Sequence, residues 1–126
     1  MTVLDLSSSG FVGSLSPNIG NLSFLRHIAL QNNSLQGQIP PEIGLRFRLQ
    51  SILLYNNSFE GKIPANLSHC TSLVQIRVGN NKLVGEIPRE LTTLSNLNVL
   101  LVHLNYLRGE IWSSFGNLTC NAQDLN

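Results

Sequence analysis

Hydrophobic positions fall into short triplets with a variable residue in the middle: Leu4-Asp5-Leu6, Ile28-Ala29-Leu30, Ile52-Leu53-Leu54, Ile76-Arg77-Val78 and Leu100-Leu101-Val102. This alternation is the period of a half-buried β-strand, the middle side chain facing away from the other two. Successive triplets are 24 residues apart, and other positions keep the same step. Glycine stands at 13, 37, 61, 85 and 109. Leucine stands at 25, 49, 73 and 97, with Met1 in the equivalent first place, and asparagine at 33, 57, 81 and 105, with Ser9 in its first place. Five repeats, 1–24, 25–48, 49–72, 73–96 and 97–120, and a tail at 121–126 account for the chain. A three-residue strand is useless alone, but rows stacked in parallel at about 4.8 Å make one continuous sheet. No single coil buries enough surface to stand by itself, so stability comes from stacking. The pattern predicts an α/β solenoid, a right-handed superhelix with a short parallel β-sheet on its concave side and irregular or 3₁₀ segments on its convex side.

Asparagine at a fixed place just inside each coil needs partners, because a buried polar group without hydrogen bonds is costly. Its amide carries donors and an acceptor. Asn33, Asn57, Asn81 and Asn105 are therefore expected to form a structural ladder with free backbone groups, incomplete at Ser9, whose side chain is shorter. The glycine after Leu35 or Phe59 supplies an unusual turn dihedral, and the proline after Ile39 ends ladder bonding and redirects the chain. Trp112 replaces that proline in the fifth repeat.

Aligned, the repeats read L-x-x-I/L-x-L/V-x-x-N-x-L/F-x-G-x-I-P-x-x-I/L, most cleanly from Leu25 to Ile43. The segments Gly37-Gln38-Ile39-Pro40, Gly61-Lys62-Ile63-Pro64 and Gly85-Glu86-Ile87-Pro88 resemble those of plant-type leucine-rich repeats. More narrowly, Val3-Leu4-Asp5-Leu6 followed by Gly13-Ser14-Leu15-Ser16-Pro17 is similar to the first repeats of plant receptor-like kinase ectodomains of the immune-receptor branch. The resemblance implies a protein- or peptide-recognition module, part of an ectodomain on the extracellular side of the plasma membrane. It would bind its ligand non-covalently, with a possible co-receptor alongside. A secreted inhibitor of cell-wall hydrolases, similar to polygalacturonase-inhibiting proteins, is the alternative, as is an inactive truncated product. Receptor ectodomains of this type have a cysteine-paired amino-terminal cap, whereas Met1 here already occupies a core position. Uncapped repeats with apolar edges are expected to favour end-to-end self-association.

Only 12% of the residues are charged, about half the usual share, and eight basic against seven acidic residues give +1. A nucleic-acid partner, which needs a basic patch, is excluded on this balance. The chain shows no apolar run long enough to cross a membrane and no basic, apolar leader of a signal peptide at its start. Cys70 and Cys120 stand two coils apart, about 9.6 Å by strand spacing, beyond the roughly 7 Å reach of a disulfide. No disulfide is expected, and Cys70 reads as a buried small hydrophobe. Arg46 shares the convex core position of Leu22, Cys70, Leu94 and Leu118; Leu45 or Phe47 is expected to fill that pocket while Arg46 snorkels outward.

The outward-facing strand positions are free of core demands and form the candidate ligand-binding face. They are His27, Ala29, Gln31 and Asn32; Ser51, Leu53, Tyr55 and Asn56; Gln75, Arg77, Gly79 and Asn80; and Val99, Leu101, His103 and Leu104. The mixture of aromatic, arginine, leucine and amide is that of protein interfaces, and an ordinary solvated face is the bland alternative. The ligand contacts are assigned to His27, Gln31, Ser51, Leu53, Tyr55, Gln75, Arg77, Val99, Leu101 and His103. His27, His69 and His103 do not share neighbouring rows and columns as metal ligands would, so no metal, cofactor or catalytic role is expected. N-x-S/T sequons occur at Asn21, Asn32, Asn56, Asn66 and Asn117. Because Asn32 and Asn56 fall on the candidate face, Asn21, Asn66 and Asn117 are the expected glycan acceptors.

Overall fold

Successive coils contribute one short strand to each of two parallel sheets. The computed structural model describes residues 2–46, 48–109, 112, 115 and 119–121. The first sheet is built from β1 (Val3–Asp5), β3 (His27–Ala29), β5 (Ser51–Leu53), β7 (Gln75–Arg77), β9 (Val99–Leu101) and β11 (Thr119–Asn121), in that spatial order. Its register aligns Leu4, Ile28, Ile52, Ile76 and Leu100, all but Leu4 fully buried. The strands start one residue before the expected triplets. Their closing apolar residues still bond to the next row: Leu30 N–H donates to Leu53 O, Leu54 N–H to Arg77 O and Val78 N–H to Leu101 O, each at 2.9 Å. β11 pairs Thr119 with Val99, a step of 20 residues where the preceding rows step by 24, and it straddles residue 120.

A second parallel sheet lies along the Gly-x-Ile-Pro segments, where the sequence pattern suggested only turns. It consists of β2 (Val12–Ser14), β4 (Ser34–Gln38), β6 (Ser58–Gly61), β8 (Lys82–Gly85) and β10 (Tyr106–Leu107). Here the rows slip by two residues, so each turn glycine lies beside the core residue of the next coil: Gly13 with Leu35, Gly37 with Phe59, Gly61 with Leu83 and Gly85 with Leu107. Stacking alone brings these backbone groups together, so no two-residue alternation is needed in the sequence. At Gly61 the backbone has φ +74°, and a Cβ would lie 3.0 Å from Gln38 Cγ of the coil before. Glycine removes both the strain and the collision.

The convex side carries 3₁₀ turns at Pro17–Asn21, Pro41–Leu45, Ala65–His69 and Arg89–Thr93. Pro40, Pro64 and Pro88 sit at the entrance to the last three in extended conformation. Each turn points one apolar residue inward, Ile19, Ile43, Leu67 or Leu91. Neighbouring turns approach closely, since a Cβ on Gly44 would stand 2.5 Å from the Asn66 carbonyl oxygen. Between sheets and turns runs one continuous core from Ile19 to Leu107, with Phe59 its largest fully buried side chain. In the fifth repeat, Trp112 donates its indole N–H to Ile87 O at 2.8 Å and lies under the Arg89 guanidinium, 5.5 Å from the ring centre. An aromatic there covers the preceding coil and still opens a turn, since Phe115 N–H donates to Trp112 O at 3.1 Å as Ile43, Leu67 and Leu91 do to their prolines.

The expected exchange at Arg46 does not occur through Leu45. Leu45 is 58% exposed and its Cδ1 lies over Gly20, where the missing side chain leaves room. Arg46 itself is half-buried, and its Nε is buried without a hydrogen-bond partner among the described residues. Phe47 lies outside the described residues. No helix among the described residues is long and apolar enough to cross a membrane.

Candidate functional site

Because the first sheet buries every second side chain, the intervening ones form columns on its outer, concave face. One column runs Asp5, Ala29, Leu53, Arg77, Leu101, and the next runs Gln31, Tyr55, Gly79, His103. Of the ten assigned contact residues, nine are half-buried and lie on this face, whereas Ser51 is only 5% exposed. Ser51 lies almost buried beneath the face and links its neighbours. Its Oγ accepts a hydrogen bond from Gln75 Nε2 at 3.1 Å and is 2.9 Å from His27 Nδ1. Gln75 Oε1 in turn accepts from Arg77 Nε at 2.9 Å. The hydroxyl can accept from the glutamine amide and still exchange a hydrogen bond with His27 Nδ1, the direction following the imidazole tautomer. A chain of hydrogen bonds therefore crosses three rows, from Arg77 to His27, and fixes the guanidinium at one end.

Tyr55, Arg77, Leu101 and His103 converge with Asn56 and Gly79 around a pocket of about 320 Å³. The notch exists because Gly79 puts no side chain between Tyr55 and His103. A larger groove of about 770 Å³ runs along the lateral side, over Lys62, Pro64, Val84, Glu86, Pro88 and Arg108. Spacing of strand residues could place Gly79 in its column but gave no sign of this lateral groove, which depends on the second sheet.

Two asparagine systems border the face. The inner one sits in the turn after each strand, buried at Asn81 and half-buried at Asn33, Asn57 and Asn105. Asn81 Nδ2 donates to Leu54 O and Val78 O at 3.0 Å and to Gly79 O at 3.2 Å, while Oδ1 accepts from Phe59 N–H at 2.9 Å. Asn33, Asn57 and Asn105 repeat the pattern. Ser9 does not: its hydroxyl donates to Ser7 O, and its N–H goes to Asn33 Oδ1. The outer system is an exposed column in left-handed conformation, Ser8, Asn32, Asn56, Asn80 and Leu104, with φ of 51–61°. Asn80 Nδ2 donates to Asn56 Oδ1 at 2.9 Å, Asn56 Nδ2 to Asn32 Oδ1 at 2.6 Å, and Asn32 Nδ2 to Ser8 Oγ at 3.3 Å.

The family model for leucine-rich repeats matches residues 1–22, 24–45 and 48–70, more than half of the chain. The chain belongs to the leucine-rich repeat family. No curated protein sequence matches significantly. Among solved structures, this leucine-rich repeat chain is similar to the plant peptide hormone receptor RGFR1 in complex with RGF2, with TM-score 0.89 and 33% identity over 94% of this chain and 19% of that one. It also matches the BIR3–SERK2 complex from Arabidopsis thaliana, with TM-score 0.87 and 29% identity over 98% of this chain and 68% of that one. The ectodomain of the receptor kinase SOBIR1 from Arabidopsis thaliana gives TM-score 0.82 and 34% identity over 97% and 71%. The repeats thus resemble those of plant receptor kinase ectodomains, and the chain spans about a fifth of the length of the peptide hormone receptor.

Within the leucine-rich repeat scaffold, Leu104 stands where the earlier repeats place asparagine or serine in a left-handed conformation. A branched apolar side chain tolerates that region poorly, at about 1–2 kcal/mol. Leu104→Asn is expected to raise stability by about 1 kcal/mol and the thermal midpoint by about 4 °C, measured by circular dichroism. An unchanged or lowered midpoint would show that the left-handed backbone carries no penalty here.

Cys70 is a free, fully buried thiol whose Sγ lies 3.5 Å from Ile43 O. Burial pushes its pKa up to about 11, partly offset by the nearby Arg46 charge. Because the folded pKa lies above the unfolded one, the neutral thiol's stabilisation is complete below the unfolded thiol's pKa. It is lost as pH rises through the folded value. Urea midpoints should therefore hold steady up to about pH 8.5 and decline towards pH 11. Iodoacetamide at about pH 8.5 should label folded Cys70 at least a hundredfold more slowly than unfolded Cys70, followed by mass spectrometry of its peptide. Equal rates would mean an accessible thiolate. Asn21 and Asn66 are both exposed on the convex 3₁₀ turns, and Asn117 lies outside the described residues.

Proposed function

We propose that this chain is a piece of a plant receptor kinase ectodomain, outside the plasma membrane, that captures a peptide or protein ligand non-covalently on the outer face of its first sheet. The observation that carries the reading is the convergence of Tyr55, Arg77, Leu101 and His103 on one pocket, none of them required by the core. The solved relatives support it: RGFR1 is bound to RGF2, and BIR3 is assembled with SERK2. By extension, a co-receptor would stand beside the bound ligand, and Asn21 and Asn66 would carry glycans on the convex side, clear of both. Recognition is favoured over catalysis because the His27–Ser51 pair offers no accessible hydroxyl.

Selection of short random peptides displayed on phage against the whole chain tests the reading. Peptides so obtained should lose most of their binding to Tyr55→Ala and Arg77→Ala and keep it with Glu42→Ala on the convex side. Binding that survives both face changes and fails with the convex one would reject the face.

A further inference from the structure

Resting on the recognition reading above, we infer that the notch over Gly79 takes one acidic side chain of an extended peptide, its carboxylate seated on Arg77 between Tyr55 and His103. Arg77 lines the pocket with its Nε already held by Gln75, and through Gln75 by Ser51 and His27. Its terminal nitrogens make no hydrogen bond or ion pair among the described residues. A guanidinium fixed at one edge presents the other edge as a fork, the geometry that matches a carboxylate. Little of the orientational cost remains to be met on binding.

The surrounding charge agrees. Between His27 and Leu104 the outward positions of the face include no aspartate or glutamate. The carboxylate in Arg77's own column is Asp5, three rows and about 14 Å away, beyond the roughly 8 Å screening length at physiological salt. Asp5 is also engaged locally, accepting from Ser7 Oγ at 2.7 Å and Ser7 N–H at 3.0 Å, which holds its carboxyl below the usual range. An anion arriving at Arg77 therefore displaces no internal partner.

The walls decide between kinds of anion. Tyr55 and Leu101 present apolar surface that suits the methylene stem of an aspartate or glutamate and would strip water from a bare phosphate without replacing it. On the other side, His103 leans into the space that Gly79 leaves open, and a Cβ at Gly79 would be 3.0 Å from its Cε1 and 3.2 Å from its Nδ1. Nδ1 is buried without a hydrogen-bond partner among the described residues. That nitrogen is already on the Gly79 side of the ring and is left for an incoming carboxylate to engage. Beside it the strained Leu104 is 55% exposed. Retaining an apolar residue at a conformation that favours asparagine points to a use for its side chain, namely contact with an apolar neighbour of the acidic residue.

The test is titration of the ¹⁵N-labelled chain with three capped probes: Gly-Asp-Leu-Gly blocked at both ends, its Gly-Asn-Leu-Gly counterpart, and Gly-Asn-Leu-Gly with a free terminal carboxylate. The aspartate probe should shift the amides of Gly79 and Leu104 and bind at least tenfold more tightly than the blocked asparagine probe. Arg77→Gln should erase that difference. Gly79→Ala, at an ordinary backbone angle, should weaken the aspartate probe at least tenfold while the circular dichroism spectrum stays unchanged. Equal binding of the aspartate and blocked asparagine probes, or binding only of the free-terminus probe, would overturn the inference. Phage-selected peptides that depend on Tyr55 and Arg77 but show no acidic preference would remove the acidic pocket and leave the face. Peptides indifferent to Tyr55 and Arg77 would remove both.

Discussion

Phe59→Ala is expected to destabilise the chain by about 4 kcal/mol, because truncating a buried phenylalanine removes its transfer energy and leaves a void. Phe59 is fully buried and stands where neighbouring coils place Leu35, Leu83 and Leu107. Its ring touches the interior halfway along the stack, so neither end can relax to fill the hole. Phe59→Leu, which restores the residue used by the other coils, should cost no more than about 1.5 kcal/mol. Urea denaturation read by circular dichroism compares the two. A loss below about 2 kcal/mol for the alanine would mean that the coils close up around the gap.

Asn81→Ala is expected to cost about 3 kcal/mol, a polar loss of nearly the same size. The carbonyls it serves keep a second donor, since Leu54 O also receives Asn57 Nδ2 and Val78 O also receives Asn105 Nδ2. The Phe59 N–H has no such reserve and would be left buried and unpaired. Asn33→Ala should cost roughly half as much, because the groups it bonds, Ser9 and Phe11 N–H, are on exposed residues within reach of water. Urea midpoints for the two variants decide the matter, and an Asn33 loss equal to that at Asn81 would contradict the role given to burial.

Ile28, Ile52 and Ile76 were legible as a buried row because period two and the 24-residue step act on the same residues. The second sheet was not legible. Its glycines break the alternation, and its pairing follows from the stacking of whole coils with a two-residue slip. On the face, the sequence could say which side chains point outward but not which were already spoken for. Ser51 looks like any outward serine until His27 and Gln75 close over it. The pocket at Gly79 hid for the opposite reason, since a missing side chain gives no pattern to read, only room. Arg46 resisted because its place depends on where Leu45 goes, and that is set by Gly20 one coil earlier.

The inner asparagines all reach backwards. Asn57, Asn81 and Asn105 accept from Leu35, Phe59 and Leu83 N–H, each in the turn before. The inner turn of a coil is thus closed by the asparagine of its successor, while strand amides such as Gln50 and Ser51 N–H are received by the coil before, at Arg26 O. Trimming from the carboxyl end removes the asparagine that closes the turn ahead of the cut, whereas trimming from the amino end removes the carbonyls that receive the next coil's strand amides. During synthesis each newly made turn therefore waits, half-closed, for the asparagine of the next coil.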